Sequence, residues 1–334
     1  MRASPARAGV LAAALVVAGF ALPGASTATA DPLVHTYSIV ARDPATGEMG
    51  VAVQSHWFSV GSIVTWAEAG VGVVATQSLV DPAYGPKGLD LMRQGVPAPK
   101  ALAQLVAADT GRSGRQVAMV DTTGAVDAYT GPGAIAAAGH HVGAQYSVQA
   151  NMMGKPTVWP AMARAFEAAT GSLADRLIAA LEAAEGEGGD VRGRQSAALL
   201  VVREGAGYGG LDDIAVDLRV DDHPQPVAEL KRLVRLQKAY THANRGDELM
   251  TEKKVEEALQ EYAASAQLAP EIVELPFWQA VTLASIGKEA EAAPIFTAVF
   301  AKEPIWAELL ERLPAAGLFP DDKALIARIK QLKP

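Results

Sequence analysis

The chain has 334 residues, of which 50% are hydrophobic, with 29 basic against 37 acidic side chains and no cysteine. That length leaves room for two domains with sizeable cores, and the formal charge of -8 argues against nucleic acid or an anionic lipid surface as partner. Without cysteine there is no disulfide, no thiolate metal site, no cysteine nucleophile and no lipidated cysteine anchor.

Residues 1–30 read as a secretory signal. Arg2 and Arg7 are basic, residues 8–22 form an apolar run, Pro23-Gly24 break it, and Ala28-Thr29-Ala30 offers a small-x-small cleavage site. The apolar run is shorter than the roughly 20 residues a spanning helix needs. Cleavage would leave Asp31 first and take the charge to about -10, since the signal carries two arginines and no acid. The expectation is an exported protein of a bacterial periplasm or exterior, with no membrane span after signal removal.

Two strand-like runs, residues 37–41 and 49–54, flank Asp43-Pro44-Ala45-Thr46-Gly47-Glu48, whose proline and glycine mark a hairpin turn. Further β-rich runs cover residues 62–66, 71–76, 116–121, 126–130, 146–151, 196–202 and 214–220. Helical patterns sit between them in pairs, at 88–93 with 99–108 and at 158–169 with 173–185. Paired strands followed by paired helices argue against regular βαβ alternation and for an α+β fold of antiparallel sheets with segregated helix layers.

Asp221-Asp222-His223-Pro224-Gln225-Pro226 is a polar, proline-bearing linker, and the pattern from residue 227 onward is helical. The expected division is signal 1–30, mixed domain 31–226 and helical domain 227–334. In the last, Ala258, Tyr262 and Pro270 recur 34 residues later as Ala292, Phe296 and Pro304. That is the tetratricopeptide period; the alternative is a generic helical appendage. Asn244-Arg245-Gly246-Asp247-Glu248 is expected to interrupt the first helix.

Gly70-Val71-Gly72-Val73-Val74-Ala75 matches a loose dinucleotide fingerprint, but β-branched residues follow it and make it a strand. Gly205-Ala206-Gly207-Tyr208-Gly209-Gly210 reads as a hairpin loop. There is no Gly-x-Ser-x-Gly elbow, and the neighbours Ser55 and His56 would point to opposite faces of a strand. His140-His141 and Asp221-Asp222-His223 lack partners at metal-ligand spacing and read as surface turn and linker. His56-Trp57-Phe58 is a loop that either lines a pocket or packs. Gly188-Gly189-Asp190-Val191-Arg192-Gly193-Arg194-Gln195-Ser196 concentrates polar groups ahead of an apolar strand, where it either binds something polar or caps the preceding helix. Gln149-Ala150-Asn151 at a strand end offers side-chain amides for an oxyanion or a substrate. No cofactor and no metal is expected.

The run from Thr36 to about Pro226 resembles domain-of-unknown-function family 1028, a branch of the N-terminal nucleophile hydrolases. The matching blocks are Tyr37-Ser38-Ile39-Val40-Ala41-Arg42-Asp43, Gly50-Val51-Ala52-Val53, Gly70-Val71-Gly72-Val73-Val74-Ala75-Thr76-Gln77, Pro82-Ala83-Tyr84-Gly85, Gly189-Asp190 with Arg192-Gly193 and Gln195-Ser196, and Arg219-Val220-Asp221-Asp222-His223-Pro224. The resemblance implies a four-layer αββα sandwich. In that superfamily the first residue of the first strand attacks an amide carbonyl with its side chain while its own α-amine takes the proton, which an α-amino pKa of roughly 7.7 to 8 permits. By distance to Asp43, Thr36 occupies that position.

Signal cleavage alone would leave Asp31-Pro32-Leu33-Val34-His35 ahead of Thr36, with its nitrogen an amide that cannot act as a base. The catalytic reading therefore requires a second cut between His35 and Thr36, autocatalytic or by another protease. On that reading Thr36 is nucleophile and base, Asn151 a catalytic oxyanion candidate, and Ser38, Gln77, Asp190 and Arg192 substrate-binding candidates for a small amide or peptide. The alternative is a noncatalytic binding or scaffold protein whose helical repeats dock a protein partner.

Overall fold

The computed structural model describes residues 33–34 and 36–333. The expected signal, its cleavage site and His35 lie outside the described residues. The chain runs through β1 (Leu33–Val34), β2 (Thr36–Arg42), β3 (Met49–Ser55), α1 (Gly61–Val64), β4 (Thr65–Glu68) and β5 (Gly72–Leu79). It continues with α2 (Tyr84–Arg93), α3 (Ala98–Ala108), β6 (Arg115–Asp121), β7 (Val126–Thr130), β8 (Gly139–Gly143) and β9 (Tyr146–Ala150). Next come α4 (Val158–Ala168), α5 (Leu173–Gly186), β10 (Ser196–Val202) and β11 (Ile214–Val220). The helical region holds α6 (Pro226–Thr251), α7 (Val255–Leu268), α8 (Glu274–Ser285), α9 (Glu289–Lys302), α10 (Ile305–Leu310) and α11 (Lys323–Lys330), with a short 3-10 turn at Pro314–Ala316.

The strands form two antiparallel sheets. One has the order β11-β10-β3-β2-β9-β8 and the other β1-β5-β6-β7, with β4 also on β5. Strand alternation explains how they stack. Val40, Val51 and Val53 of the first sheet meet Val73, Ala75, Ala118 and Val120 of the second in one apolar cluster. The opposite face of β2, carrying Tyr37, Ile39 and Ala41, packs on α4, α5 and the start of α6. Val74, Val117 and Met119 turn outward to α2 and α3. Both sheets are thus apolar on both faces, which is why their strands read as near-continuous hydrophobic runs.

The β2–β3 hairpin closes as expected: Asp43 N donates to Glu48 O (2.8 Å), Gly47 N donates to Asp43 O (2.9 Å), and Gly47 takes a φ of +74° that suits glycine. Helix α5 starts at Ser172, whose side chain accepts from Asp175 N while Asp175 reaches back to Ser172 N, a reciprocal cap.

Three expectations change. Residues 62–66 are not one strand: Thr65 Oγ1 donates to Gly61 O (2.8 Å) and Ser62 Oγ to Ser59 O (2.7 Å), local hydroxyl bonds that close the turn α1 before β4 begins. His140-His141 lies in a strand, β8, which pairs with β9. Gly246 does not interrupt α6, which is continuous; a Cβ there would sit 2.5 Å from the Tyr262 ring, so the glycine serves a close helix approach. The bounds of α7 and α9 are offset by 34 residues at both ends. Their equivalent residues Ala258 and Ala292, and Tyr262 and Phe296, are all buried.

Gly61 seats α1 on β10, since a Cβ there would lie 2.4 Å from Ala198 Cβ, an atom fixed to a central strand. Gly61→Ala should cost about 1–3 kcal/mol through overpacking, measured as a lower urea midpoint at unchanged slope.

Candidate functional site

The same alternation that sends Tyr37 outward turns Thr36 and Ser38 into the space between the sheets. Their neighbours in register are Ser55 opposite Thr36 on β3 and Gln149 opposite Ser38 on β9. Across the gap, Gln77 of β5 pairs with Gln116 of β6, which pairs with Thr130 of β7. The inter-sheet layer is therefore apolar at one end and lined with amides and hydroxyls at the other. Thr36, Ser38, Ser55, Gln77, Gln116, Ser147, Gln149 and Asn151 are all 0% exposed.

These groups form a directional chain. Ser147 Oγ donates to Gln149 Oε1 (3.1 Å), Gln149 Nε2 to Ser38 Oγ (2.6 Å), and Ser38 Oγ to Gln77 Oε1 (2.6 Å). Gln77 Nε2 then donates to Gln116 Oε1 (2.7 Å) and Gln116 Nε2 to Thr130 Oγ1 (2.9 Å), which lies 2.8 Å from His140 Nδ1. His140 stands opposite Gln149 in the β8–β9 register, so the chain returns to its starting strand. Burial is the main cause that lowers the His140 pKa, with His141 acting in the same direction and Asp127 opposing. Thr130 Oγ1 and His140 Nδ1 share a hydrogen bond whose direction follows the ring tautomer.

Thr36 is held from several sides. Its carbonyl accepts from Asn151 N (3.0 Å), Gln77 Nε2 (3.2 Å) and Asn151 Nδ2 (3.3 Å). Its hydroxyl donates to Ser55 Oγ at 3.1 Å. Asn151 Nδ2 also donates to Gln116 Oε1 (2.9 Å). Of five non-glycine residues with positive φ among the described residues, Ser78 (+73°) and Met152 (+56°) directly follow Gln77 and Asn151. Backbone held in this region marks places that the surrounding structure over-determines.

Four of the six expected site residues, Thr36, Ser38, Gln77 and Asn151, meet in this cluster. Asp190 and Arg192 do not. They form a second cluster past the end of β3, where Asp190 Oδ2 accepts from His56 N (3.2 Å) and Arg192 Nη2 donates to Asp190 Oδ2 (2.6 Å). The Asp190 side chain is 0% exposed and that of Arg192 24%, so the arginine screens a buried carboxylate. Glu185, beside them, accepts from the Tyr37 hydroxyl (2.5 Å) and pairs with Arg194. Burial, then Glu185, drives the Tyr37 pKa well above the usual phenol value. Glu185, Gly188, Asp190, Gly193, Arg194 and Pro224 border an open cavity of about 430 Å³. Among the described residues no three His, Asp or Glu side chains converge as a metal site.

The sequence does not single out Gln116 and Thr130, and it sets Ser55 and His140 aside as a strand neighbour of His56 and a surface turn. The available signal was positional: a polar residue stands at one end of strand after strand whose remaining positions are apolar.

The model of a family described as "Family of unknown function (DUF1028)" matches residues 36–230, starting at Thr36. A crystal structure of a Silicibacter pomeroyi protein, described under the same family, is 33% identical with a TM-score of 0.55, over 60% of this chain and 88% of that one. No curated protein matches the chain.

Two measurements check the amide chain. Gln116→Leu removes the acceptor of Gln77 and Asn151 together and should destabilise by about 1–3 kcal/mol in urea unfolding, the cost of buried donors left short of partners. A folded-state His pKa below the ordinary value of about 6.5 means that protonation favours the unfolded chain. His140 therefore contributes stability above pH about 6.5 that is lost as pH falls through its lower folded value. His140→Asn, which keeps a hydrogen-bonding partner for Thr130 without a titrating ring, should show a smaller drop in melting temperature between pH 7 and pH 5 than the parent.

Proposed function

This chain belongs to the DUF1028 family, and we propose that it is an exported amidohydrolase of the N-terminal nucleophile type that cleaves a small amide or peptide bond. The observation that carries the reading is the setting of Thr36. It is a hydroxyl residue opening a central strand, aimed between two sheets at their polar end, with its carbonyl held by three donors. Two antiparallel sheets with helices on both outer faces support the αββα sandwich of that superfamily.

In the proposed reaction a cut between His35 and Thr36 frees the α-amine. Thr36 Oγ1 attacks the substrate carbonyl carbon as its proton passes to that amine, giving a tetrahedral oxyanion. Collapse breaks the C–N bond, the ammonium returns the proton to the departing amine, and an acyl ester remains on Oγ1. Water attacks the ester with the amine again as base, releasing the carboxylic acid and restoring the hydroxyl. Ser55 is a positioning residue that holds the Thr36 hydroxyl, and Gln77 holds the Thr36 carbonyl. Asn151 Nδ2, beside the same carbonyl, is the assigned oxyanion donor, since Asn151 N and Gln77 keep Thr36 in place. Ser38 orders Gln77. Asp190 and Arg192 shape the end of β3 rather than the reacting centre.

The helices beyond residue 230 fall outside the family match. We read α6 to α9 as two tetratricopeptide-like hairpins that dock a protein partner, on the support of the 34-residue offset between α7 and α9.

N-terminal sequencing of the exported protein should find Thr36 first; a homogeneous Asp31 terminus in active protein would overturn the mechanism. With any amide substrate found by screening, Thr36→Ala should lower kcat by at least about a hundredfold, the scale of a lost catalytic group, and Ser55→Ala by less. Unchanged turnover in Thr36→Ala would remove Thr36 from the reaction.

A further inference from the structure

The two residues of β1 lie on a different sheet from β2. Leu33 pairs with Leu79 and Val34 with Ser78, both antiparallel on β5. The opposite edge of β5 carries β6 along its length, and β4 covers the near edge only for Gly72–Ala75. Thus β1 takes a stretch of the near edge that no other strand pairs with among the described residues. Two residues after Val34, Thr36 opens β2 in the facing sheet. The chain ahead of the proposed nucleophile is therefore laid out as an extended strand on β5 and then crosses to the other sheet.

That path bears on the substrate. In the intact chain the acyl group on the Thr36 nitrogen is the segment ending at His35. In an acyl-enzyme the acyl group is on Oγ1 of the same residue. Nitrogen and Oγ1 are joined through only Cα and Cβ, so an acyl chain attached at either atom starts from the same place and can follow the same track. The track itself is rigid: Arg115 Nη1 donates to Leu79 O at 2.6 Å and Arg115 is itself tied to Asp109. Ser78 is fixed at positive φ. With Leu79 O held by Arg115, Ser78 presents its main chain to the near edge, a template for pairing with another extended chain.

We propose that, once Thr36 is terminal, the edge of β5 at Ser78 and Leu79 binds the acyl side of the substrate as an antiparallel strand. The substrate class is then an extended peptide rather than a compact amide, and β1 is the strand it replaces. This rests on the amidohydrolase reading and narrows it. Main-chain pairing makes recognition tolerant of side-chain identity, with the segment Leu33-Val34-His35 as the natural first probe.

The test uses the full protein folded before it is cut. Residues 32–35 are replaced by a factor Xa recognition sequence so that cleavage exposes Thr36. The acetylated peptide Asp-Pro-Leu-Val-His is titrated by calorimetry, with hydrogen exchange followed over residues 76–80. A chain translated from methionine directly before Thr36, with the methionine removed, serves as a second preparation. The expected result is saturable binding, slowing of exchange at Ser78 by at least tenfold, and at least tenfold weaker binding of the peptide N-methylated at its Leu and Val nitrogens. No binding to either preparation, or equal binding of the N-methylated peptide, overturns the proposal. Binding is repeated in Thr36→Ala, where hydrolysis cannot occur. Hydrolysis of a small amide without peptide binding would leave the amidohydrolase reading standing and sink the strand site. Strand-like binding with no hydrolysis by the Thr36 chain would do the reverse.

Discussion

The chain of carboxamides and hydroxyls running from Ser147 through Gln149, Ser38, Gln77 and Gln116 to Thr130 is the interaction on which the rest of the two-sheet body depends. A buried amide is costly unless both its ends are paired, and here each amide completes its neighbour. The links cross from one sheet to the other at Ser38–Gln77 and return at Thr130–His140. Apolar packing at the other end of the gap tolerates small slides of one sheet over the other; directional bonds do not. The polar end therefore fixes the relative register of the sheets, and with it the placing of Thr36 against Gln77 and Asn151.

This arrangement separates what holds Thr36 from what precedes it. Its three carbonyl donors come from β5 and from the end of β9, elements reached later in the chain. The residues ahead of it contribute two register pairs at the edge of β5. A break in front of Thr36 would leave its carbonyl, its hydroxyl contact with Ser55 and the whole amide chain in place. For the proposed enzyme, maturation and site assembly are thus independent: the site is complete before its amine is free.

Much of the scaffold was legible from periodicity. The runs at 37–41, 49–54, 116–121, 126–130, 196–202 and 214–220 match strands within a residue or two, because strands apolar on both faces stand out even without alternation. What failed was local chemistry. Hydroxyl bonds at Ser62 and Thr65 wound an apparent strand into a turn. β1 and β8 were invisible because one is two residues long and the other is built from Gly139-His140-His141-Val142-Gly143, whose pairing depends on β9 rather than on its own propensity. At the site, the structure brings the candidates Thr36, Ser38, Gln77 and Asn151 together, whereas Asp190 pairs with the partly exposed Arg192 past the end of β3. Nothing in the sequence spacing reveals which strand ends converge. Gln116 bonds to Gln77 and Thr130 within its own sheet and to Gly139 O, Ala150 O and Asn151 across the gap, and the last three contacts exist only after both sheets have stacked.

The composition of the polar end also decides what kind of base can work there. Thr36, Ser38, Ser55, Gln77, Gln116, Ser147, Gln149 and Asn151 are all neutral. Asp190 is bonded to Arg192 past the end of β3. A carboxylate close to an α-amine would stabilise its protonated form and leave less of it neutral near pH 7, while an ordinary lysine would be protonated at neutral pH. A setting of neutral amides and hydroxyls does neither. Burial there disfavours the ammonium and moves the amine toward its neutral, proton-accepting form. An α-amine at Thr36 would thus meet neutral side chains that leave more of it free to accept a proton, and the neutrality of those side chains becomes part of the proposed chemistry rather than an incidental feature of the core.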